Sequence, residues 1–449
     1  MTLDADEVRS TVAAMMPDVK NELATLVSHG SVAFPGFPSE PVDEMAAAAT
    51  DLLCRWGYHG VRLLDIPGGY PAVWADMPGP AGTPTVLLYG HYDVQPAPPE
   101  HGWKTDPWML TEGSDGRWYG RGTADDKSGI MIHAGMMRVF GGKPPVGIKL
   151  VLEGEEETLS HLDDFVADNP ERFKADVMVI ADMGNLAVGQ PVLTSTLRGD
   201  VACTVEIKTI DHSLHSGIFG GPAPDALVTL IRTLAPLWDE EGNTVVPGLL
   251  SYDWPGAQFP VDLYREQSGM LPGVDIVGTG TVATKLWSKP NVTVIGLDAP
   301  ATDDANNVLI PRAKARLSMR IAPGADADAE LERLVKYLEA HVPWHAVATV
   351  EKVKATRAFM AGTDGPGFAA AKVALEAAYG KPVGEAGSGG SIPLLTYLSN
   401  ASPGAEFILW GAEDVAQSRI HSADESVDPS EIANMIIAQV LLLDGLGKA

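Results

Sequence analysis

The sequence predicts an α/β protein in two parts: a layered domain with a central, mostly parallel sheet, and a smaller, inserted ferredoxin-like α+β domain. In the first 197 residues, short and uninterrupted apolar runs alternate with helical patterns, as in layered α/β domains. Near residue 198 the pattern changes, and the order strand, helix, two strands, helix, strand follows, which is the βαββαβ order of a ferredoxin-like unit. After residue 357 the pattern of buried strands and helices seen in the first 197 residues returns. We therefore expect residues 1–197 and 358–449 to form the larger domain and residues 198–357 the insertion.

The first part of the chain predicts helices over residues 7–29, with an interruption at Pro17, and over residues 41–58. The run TVLLY at residues 85–89 is continuously apolar, which is typical of a strand covered on both faces. The other elements predicted here are strands at 61–66 and 72–75, a helix at 128–140, and strands at 147–152 and 177–181.

The insertion is expected to begin with residues 201–210, whose alternation of apolar and polar residues predicts a half-exposed antiparallel strand. Residues 247–290 are rich in Pro, Gly and Trp and are interpreted as a loop-rich stretch. The other elements of the insertion are a helix at 224–238, strands at 292–296 and 313–321, a helix at 326–341 and a strand at 347–353. Beyond it we expect a helix at 367–379, a strand at 406–410 and a helix at 429–443.

The composition argues against several classes of protein. The chain has 449 residues, with 32 Lys or Arg and 59 Asp or Glu, and its formal net charge is −27. This charge disfavours nucleic acid and anionic membrane surfaces as partners, because both attract cationic proteins. The N-terminal segment is acidic and no run of about 18 apolar residues occurs, so we expect a cytoplasmic protein without a membrane partner. Cys54 and Cys203 allow at most one disulfide and are predicted to be buried structural thiols.

A histidine and an aspartate follow the most apolar strand. The run TVLLY leads into Gly90 and His91, and Asp93 lies two residues further on. Ligand sites of α/β sheets lie beyond the carboxyl ends of the strands. Asp93 could accept a hydrogen bond from the second nitrogen of a metal-bound His91 and so fix its tautomer. The alternative is a structural role, with His91 in a strand-end turn and Asp93 in an Asx-turn.

Carboxylates occupy further positions of this kind. In the glycine-bounded run YGRGTADDKSG, Asp125 or Asp126 is either the N-cap of the next helix or a carboxylate that bridges two metal ions. In EGEEET, neighbouring glutamates after an apolar strand can divide the work, one as metal ligand and one as general base. Asp182 ends a third apolar strand, and His421 lies in a polar loop before the last helix.

Taken together, these residues predict metal-assisted hydrolysis of an amide. Each signal is weak by itself, because strand-end carboxylates and exposed loop histidines are common. Two histidines with several carboxylates form a mixed nitrogen and oxygen ligand set that suits zinc, and also manganese or cobalt. A paired metal site needs a bridging carboxylate and a group that activates the attacking water, and this set supplies both.

The motifs GHYDVQP, YGRGTADDKSG, EGEEET, IAD, HSGIFGG, GGSIP and IHSADE occur in this order between residues 90 and 425. They resemble the motifs of the di-zinc aminoacylase and carboxypeptidase family, and above all its branch of carnosinase-type cytosolic dipeptidases. The resemblance implies a catalytic domain with two Zn²⁺ per chain, for which Mn²⁺ or Co²⁺ could substitute. It also implies an inserted lid and dimerisation domain, and a homodimer that cleaves dipeptides or removes the terminal residue of short peptides.

The resemblance assigns a role to each motif residue. Asp93 would orient His91, and Glu156 would be the general base that deprotonates a water between the two zinc ions. The peptide bond between Asp125 and Asp126 is expected to be cis. The metal ligands that the resemblance implies are His91 and Asp182 for one zinc ion, Glu157 and His421 for the other, and Asp125 as the bridge between both.

Substrate contacts are implied for four residues. His215, in the run DHSLHSG, would reach the active site of the partner subunit and polarise the scissile carbonyl as part of an oxyanion site. Arg320 would hold the free carboxylate of the peptide, a role that suits its planar and always charged side chain. Asn307 and Ser391 are further candidates for contacts with the substrate.

Two alternatives remain open from the sequence. An N-acyl-amino-acid amidohydrolase would apply the same two-metal chemistry to a substrate with a blocked amine. A non-catalytic peptide-binding protein would be expected to lack a metal ligand or the base, whereas this sequence contains a residue of the required type at every such position.

Overall fold

The structure is a computed structural model that describes residues 3–448, except for the side chain of residue 101. Its α-helices are α1 (Ala5–Ser28), α2 (Glu40–Arg55), α3 (Lys127–Val139), α4 (Leu162–Asp168), α5 (Pro170–Phe173), α6 (Ser216–Phe219), α7 (Ala226–Leu234), α8 (Val261–Ser268), α9 (Val282–Trp287), α10 (Ala327–Ala340), α11 (Pro366–Tyr379), α12 (Leu394–Ala401) and α13 (Pro429–Leu446). Its strands are β1 (Arg62–Leu64), β2 (Ala72–Met77), β3 (Thr85–His91), β4 (Thr111–Glu112), β5 (Trp118–Tyr119), β6 (Gly147–Glu153), β7 (Val177–Ile180), β8 (Gly184–Asn185), β9 (Val192–Leu197), β10 (Gly199–Lys208), β11 (Leu214–His215), β12 (Asn291–Asp298), β13 (Val308–Leu309), β14 (Arg312–Ile321), β15 (Val347–Thr356), β16 (Phe359–Met360), β17 (Gly384–Ser388), β18 (Glu406–Leu409), β19 (Glu413–Asp414) and β20 (Ser426–Val427).

The larger sheet is the middle layer of three. Its strand order is β1-β2-β6-β3-β7-β18-β9-β16, and β17 pairs with β9 outside this path. The neighbours β6, β3, β7 and β18 run parallel, while the pairs toward both edges of this path are antiparallel. One face packs against α1, α2, α3, α11 and α13, and the other against α4, α5 and α12. The predicted layered α/β fold with a mostly parallel central sheet is confirmed.

The second sheet has the order β12-β14-β10-β15 and is antiparallel throughout. In chain order its elements are β10, α7, β12, β14, α10 and β15, so the predicted βαββαβ unit is confirmed. Its two helices α7 and α10 pack on one face over a core that includes Leu230 and Leu334. The antiparallel strand predicted over residues 201–210 is present as β10, but the prediction that it is half-exposed is wrong. β10 is an inner strand, paired with β14 on one side and β15 on the other, and Ala202 and Thr204 on its second face are buried as well.

Two local predictions in the first helices are also wrong. α1 continues through Pro17, although a proline inside a helix costs about 3 kcal/mol. Burial of the apolar face of α1, which includes Val12 and Leu23, offsets this cost. Cys54 is exposed, because it lies on the solvent side of α2, whereas Cys203 is buried as predicted.

Several elements are absent from the sequence prediction, among them β9, β17, α4, α8, α9 and α12. β9 has the sequence VLTSTL, and its hydroxyl-bearing residues interrupt the apolar pattern although every residue of the strand is buried. The helices α8 and α9 lie in the segment 247–290, whose Pro and Gly content predicts loops.

The last helix, α13, is long and apolar enough to cross a membrane by length and composition alone. In the structure it is a core helix, since 67% of it is buried and it packs against α3 and α11. Its apolar sequence is therefore explained by the core of the larger domain.

His133 on α3 provides a test of this core. Its Nε2 donates to the carbonyl oxygen of Tyr89 at 3.0 Å, and its Nδ1 accepts from Nε2 of Gln439 on α13 at 3.0 Å. Burial lowers the pKa of His133 from 6.5 to about 4, so between these pH values only the unfolded chain binds a proton at this residue. The free energy of unfolding should fall as the pH drops from 6.5 towards 4, and this one group should contribute roughly 3 kcal/mol to the decrease.

Urea unfolding at pH 7 and pH 4.5 checks this prediction. We expect the wild type to lose more stability between these pH values than the variant His133→Asn, which has no imidazole to protonate. An equal loss in both proteins would show that His133 does not link protonation to unfolding.

Candidate metal centre

Three neighbouring parallel strands bring acidic side chains and a histidine to one edge of the larger sheet. β3 ends at His91, which pairs with Glu153 at the end of β6. β7 ends two residues before Asp182, and the loop after β6 carries Glu156 and Glu157. His91 is fully buried and Asp182 is 9% exposed. The carboxyl ends of these strands thus form the floor of the site, as expected for a parallel sheet.

Asp125 lies at the centre of this group. Its Oδ1 is 2.9 Å from Nε2 of His91, and its Oδ2 is 3.0 Å from Nε2 of His421. The peptide bond between Asp125 and Asp126 is cis, as expected. Asp126 is the N-cap of α3 and accepts a hydrogen bond from the N–H of Gly129. The two neighbouring aspartates therefore have different places, one between the histidines and one at the helix terminus.

A further carboxylate lies beside each histidine. Nε2 of His91 is 3.8 Å from Oδ1 of Asp182, and Nε2 of His421 is 3.2 Å from Oε2 of Glu157. Potential ligand atoms of Asp125, Glu157 and His421 all lie within 4.8 Å of one another. The structure thus brings the five predicted ligand residues together, two on each side of Asp125.

Asp93 contacts two parts of the site. Its backbone carbonyl oxygen is 3.1 Å from Nδ1 of His91, whereas its carboxylate Oδ1 is 3.5 Å from the same atom. The carboxylate oxygens accept hydrogen bonds from the backbone N–H groups of Glu156 and Glu157, each at 3.0 Å. The expected contact with His91 is therefore made mainly by the carbonyl group. The carboxylate instead fixes the loop that carries the predicted base.

Asp125 is held in position by a buried ion pair that was not predicted from the sequence. Oε2 of Glu425 accepts a hydrogen bond from Nη1 of Arg121 at 2.5 Å. Its Oε1 accepts from the backbone N–H groups of Ala124 and Asp125 at 3.0 and 3.1 Å. Both charged residues lie inside the motifs YGRGTADDKSG and IHSADE. Their location within these motifs could have identified them as residues of the site, although neither residue follows an apolar strand.

Two further polar residues near the centre were also missed. A carboxylate oxygen of Glu413 lies within 4.8 Å of ligand atoms of Asp125 and Asp182. Gln95 donates a hydrogen bond from Nε2 to Oε2 of Glu157 at 2.7 Å. Glu413 lies four residues beyond the end of β18, the fourth of the parallel strands. Its position after a strand end was therefore the same signal that identified Asp182.

The centre holds more negative charge than its histidines can balance. Burial, reinforced by the charge of Asp182, raises the pKa of Asp126 well above its usual range. Burial and the charges of Asp125 and Asp182 do the same to the pKa of Glu413, and burial raises the pKa of Asp182 itself to about 6. Carboxylates buried this close together stay ionised only if cations lie among them. The mixed nitrogen and oxygen donors therefore fit divalent metal ions.

Protons and metal ions compete for the ring nitrogen atoms of the two histidines. Hydrogen bonds to Asp125 and Glu157 raise the pKa of His421 to about 10. Burial lowers the pKa of His91, but hydrogen bonds to Asp125, Asp182 and Asp93 outweigh burial and leave that pKa well above its usual value. Because a histidine binds metal only in its neutral form, loading this centre releases protons.

Glu156 lies beside the ligands and remains partly open to solvent. Desolvation, followed by the charge of Asp182, raises the pKa of Glu156 well above its usual range. Its backbone N–H is held by Asp93, so the side chain starts from a fixed position. A carboxylate that is both accessible to water and next to the ligands is suited to proton transfer.

The four predicted substrate residues lie on other elements than those that carry this cluster. His215 ends β11, is exposed, and accepts the N–H of Gly217 on its own Nδ1 at 3.1 Å. Asn307 is also exposed, and its carbonyl accepts the N–H of Ser216 at 2.9 Å. Arg320 is partly exposed on β14, opposite residues of β10 and β12. Ser391 is partly exposed in the turn between β17 and α12.

Comparison with known proteins identifies similar sequences and folds. Residues 87–444 match the model of peptidase family M20/M25/M40. The chain is 36% identical to a cysteinylglycine-S-conjugate dipeptidase of Corynebacterium striatum over 95% of both chains. It is 28% identical to a Beta-Ala-His dipeptidase of Rattus norvegicus over 80% of this chain and 76% of the rat protein. The crystal structure of human carnosine dipeptidase 1 superposes with a TM-score of 0.81 at 24% identity, over 99% of both chains.

The variant Asp93→Asn should weaken metal binding. An amide has one acceptor oxygen, so one of the N–H groups of Glu156 and Glu157 would lose its partner and the loop would shift. Loss of a group that orients metal ligands costs about 10- to 100-fold in metal affinity. Competition titration of Zn²⁺ against a chelating dye measures the effect. The matched control is Asp76→Asn, on the exposed side of β2, and an unchanged affinity in Asp93→Asn would contradict the prediction.

Proposed function

Because the chain belongs to peptidase family M20/M25/M40, we propose that it is a metal-dependent dipeptidase, which cleaves dipeptides or removes the terminal residue of short peptides. The position of Asp125 between two histidines, with Glu156 beside them, carries this proposal. The similarity to a cysteinylglycine-S-conjugate dipeptidase and to a Beta-Ala-His dipeptidase supports a dipeptide as the substrate.

The proposed metal content is two Zn²⁺ per chain, with Mn²⁺ or Co²⁺ as possible substitutes. His91 and Asp182 would hold one ion, Glu157 and His421 the other, and Asp125 would contact both. When bound, such ions polarise a carbonyl group and lower the pKa of a water molecule. The excess of buried carboxylates described above supports a site for two divalent cations rather than one.

The residues of the chain would provide the proton transfer. Glu156 would take a proton from the attacking water and later deliver it to the leaving amine. Asp93 would hold the Glu156 backbone in place, and its carbonyl would keep the proton of His91 on Nδ1, so that Nε2 is free for metal. These roles explain why one aspartate contacts both the base loop and a ligand.

The free carboxylate of the peptide would bind to Arg320, with Ser391 and Asn307 as further contacts. A guanidinium forms two parallel hydrogen bonds with a carboxylate, which fixes the orientation of the peptide as well as its position. Such anchoring would place the scissile carbonyl beside the base. A free carboxylate as anchor is consistent with cleavage of dipeptides.

We propose that the active unit is a homodimer formed through the second sheet. β12 is an edge strand, and its Val294, Ile295 and Leu297 are 39%, 55% and 54% exposed. An apolar edge strand with unpaired backbone groups is normally covered by another element or another chain. Exposed Ile218 and Phe219 lie three and four residues after His215, so a second copy on this side could bring His215 to the partner's scissile carbonyl.

The proposed domain boundaries coincide with the crossings between the two sheets. β9 ends at Leu197 in the larger sheet, and β10 begins at Gly199 in the second. On the return, β15 ends at Thr356 and β16 begins at Phe359, again in the larger sheet. This supports a catalytic domain of residues 1–197 and 358–449 and a lid and dimerisation domain of residues 198–357.

Removal of the base tests the proposed chemistry. The variant Glu156→Gln should lose activity on a dipeptide by about 10²–10⁴-fold and keep its metal, because Glu156 is not a proposed ligand. Metal analysis and initial rates measure both quantities. In the wild type, a chelator should abolish hydrolysis and Zn²⁺ should restore it. Full activity in Glu156→Gln would remove the assignment of the base.

A substrate comparison separates dipeptidase from deacylase. The wild type should hydrolyse a dipeptide with a free amine faster than the corresponding N-acetyl amino acid. A preference for the N-acetyl compound would support the amidohydrolase alternative. If the protein hydrolyses neither compound in the presence of metal, the alternative of a non-catalytic peptide-binding protein would remain.

A mixture of two inactive variants tests the action of His215 across the dimer. Glu156→Gln and His215→Ala should each be inactive, since each lacks one part of both sites. In mixed dimers one site receives Glu156 from one chain and His215 from the other. Unfolding and refolding an equal mixture should therefore restore about a quarter of the wild-type activity, because about half of the dimers are mixed and each has one complete site. No recovery, with dimers confirmed by light scattering, would place His215 outside the partner's site.

A further inference from the structure

The second part of the chain contains a cavity of about 790 Å³. It lies between residues 238–279, α9 and the start of β12, and Arg198 lines one side. This volume is within the range of small-molecule sites, 300–1,000 Å³. None of the residues proposed above as metal ligands, base or substrate contacts lines it. The cavity thus has a lining of its own, and it meets the proposed dipeptide site at Arg198, which lies beside Gly389 of the GGSIP motif and near Arg320.

Arg198 is the polar feature of this cavity that lacks a complete set of partners. It is 7% exposed. Its Nη1 donates to Oδ1 of Asn291 at 2.8 Å and reaches the carbonyl oxygen of Lys289 at 3.5 Å. Its Nε is buried and has no hydrogen-bond partner within residues 3–448. A buried guanidinium N–H without an acceptor is costly, and an acceptor supplied from the cavity would remove that cost.

The charge around Arg198 favours an anion as that acceptor. Burial, and then the positive charge of nearby Arg320, lowers the pKa of Arg198 to about 10, so it remains protonated at neutral pH. Lys285 and Lys289 also line the cavity, and their ammonium groups donate to the carbonyl oxygens of Gly278 and Thr279, which carry no charge. Three cationic side chains thus line the cavity.

Two acidic residues line the same cavity. The carboxylate of Asp239 accepts two hydrogen bonds from Asn243, at 2.8 and 2.9 Å, so its oxygens are already engaged. Asp275 is the other acid in the lining. Three cationic side chains therefore face two carboxylates.

The rest of the wall is mainly apolar and includes Trp238, Val246, Leu249, Ile276 and Leu286. We propose that this cavity is a second ligand site, which binds a small organic anion with its charged group on Arg198 and its apolar body against these side chains. The charged group is a carboxylate or a phosphate, since both match the guanidinium. The proposal does not depend on the proposed peptidase activity.

Calorimetric titration of the full-length, zinc-loaded protein with three matched probes tests the site. Naphthaleneacetate and naphthyl phosphate carry the two candidate charged groups, and naphthaleneacetamide is the uncharged analogue. We expect at least one anionic probe to bind with one site per chain, and at least ten-fold more tightly than the amide. The tighter of the two anions identifies the charged group. Equal binding of charged and uncharged probes, or no binding of either anion, would overturn the proposal.

Variants locate the binding. Arg198→Met should weaken binding of the anionic probe at least ten-fold, which is the effect expected from one lost charge-assisted contact. Leu286→Trp should do the same by filling the cavity while leaving Arg198 in place, so the proposal remains testable if Arg198→Met does not fold. The matched control Arg316→Met, an exposed arginine of β14, should bind like the wild type. Unchanged affinity in Leu286→Trp would overturn the proposal.

The same probe separates this site from the dipeptide site. In the metal-loaded variant Glu156→Gln, which should bind a dipeptide without cleaving it, a saturating dipeptide should not displace the anionic probe. Displacement would show that the cavity is part of the substrate site and would overturn a second site. Neither result changes the metal content or activity measured for the wild type, so the proposed function is tested separately.

Discussion

The centre depends on a single carboxylate whose two oxygen atoms contact two different histidines. Both carboxylate oxygens of Asp125 are engaged, since Oδ1 contacts His91 and Oδ2 contacts His421. Its position is set by Glu425, which is 300 residues away in sequence and binds the N–H of Asp125. Glu425 is in turn paired with the buried Arg121. Removing one partner of such a buried pair typically costs about 3–5 kcal/mol, so the bridging position and the stability of the domain are linked.

Without bound cations, the same arrangement of carboxylates destabilises the folded state. The parallel strands β3, β6 and β7 end beside one another, and their carboxylates and those of Asp125 and Glu413 repel at close range. A ligand that binds only the folded state stabilises it in proportion to the logarithm of its concentration. Metal binding therefore contributes to the stability of the larger domain as well as to its chemistry.

The sequence alone predicts the parts of this molecule that depend on local pattern. Apolar runs identified β3, β6 and β7, and the residues that follow them, His91, Glu157 and Asp182, meet in the structure. The contacts of Arg121 with Glu425 and of Asp93 with the backbone of Glu156 are absent from the prediction, because apolar runs and strand ends do not indicate which side chain will hold a distant backbone N–H group. Local pattern also failed where tertiary packing overrides it, as in α1 through Pro17 and in the buried, hydroxyl-rich β9.

The two sheets are joined by two crossings that lie side by side. Leu197 pairs with Phe359 in the larger sheet, and Asp200 pairs with Thr356 in the second. Between them, a side chain at Gly199 would come within 2.6 Å of the Thr356 carbonyl oxygen and 2.8 Å of the Ala358 nitrogen, so the two chains approach too closely for any residue but glycine. Two short, adjacent connections restrict sliding and twisting of one sheet against the other more strongly than rotation about the line through both crossings. Trp254 and Trp287 pack in one buried cluster with Val192 of β9 and Ala386 of β17, so any such rotation would have to separate these side chains.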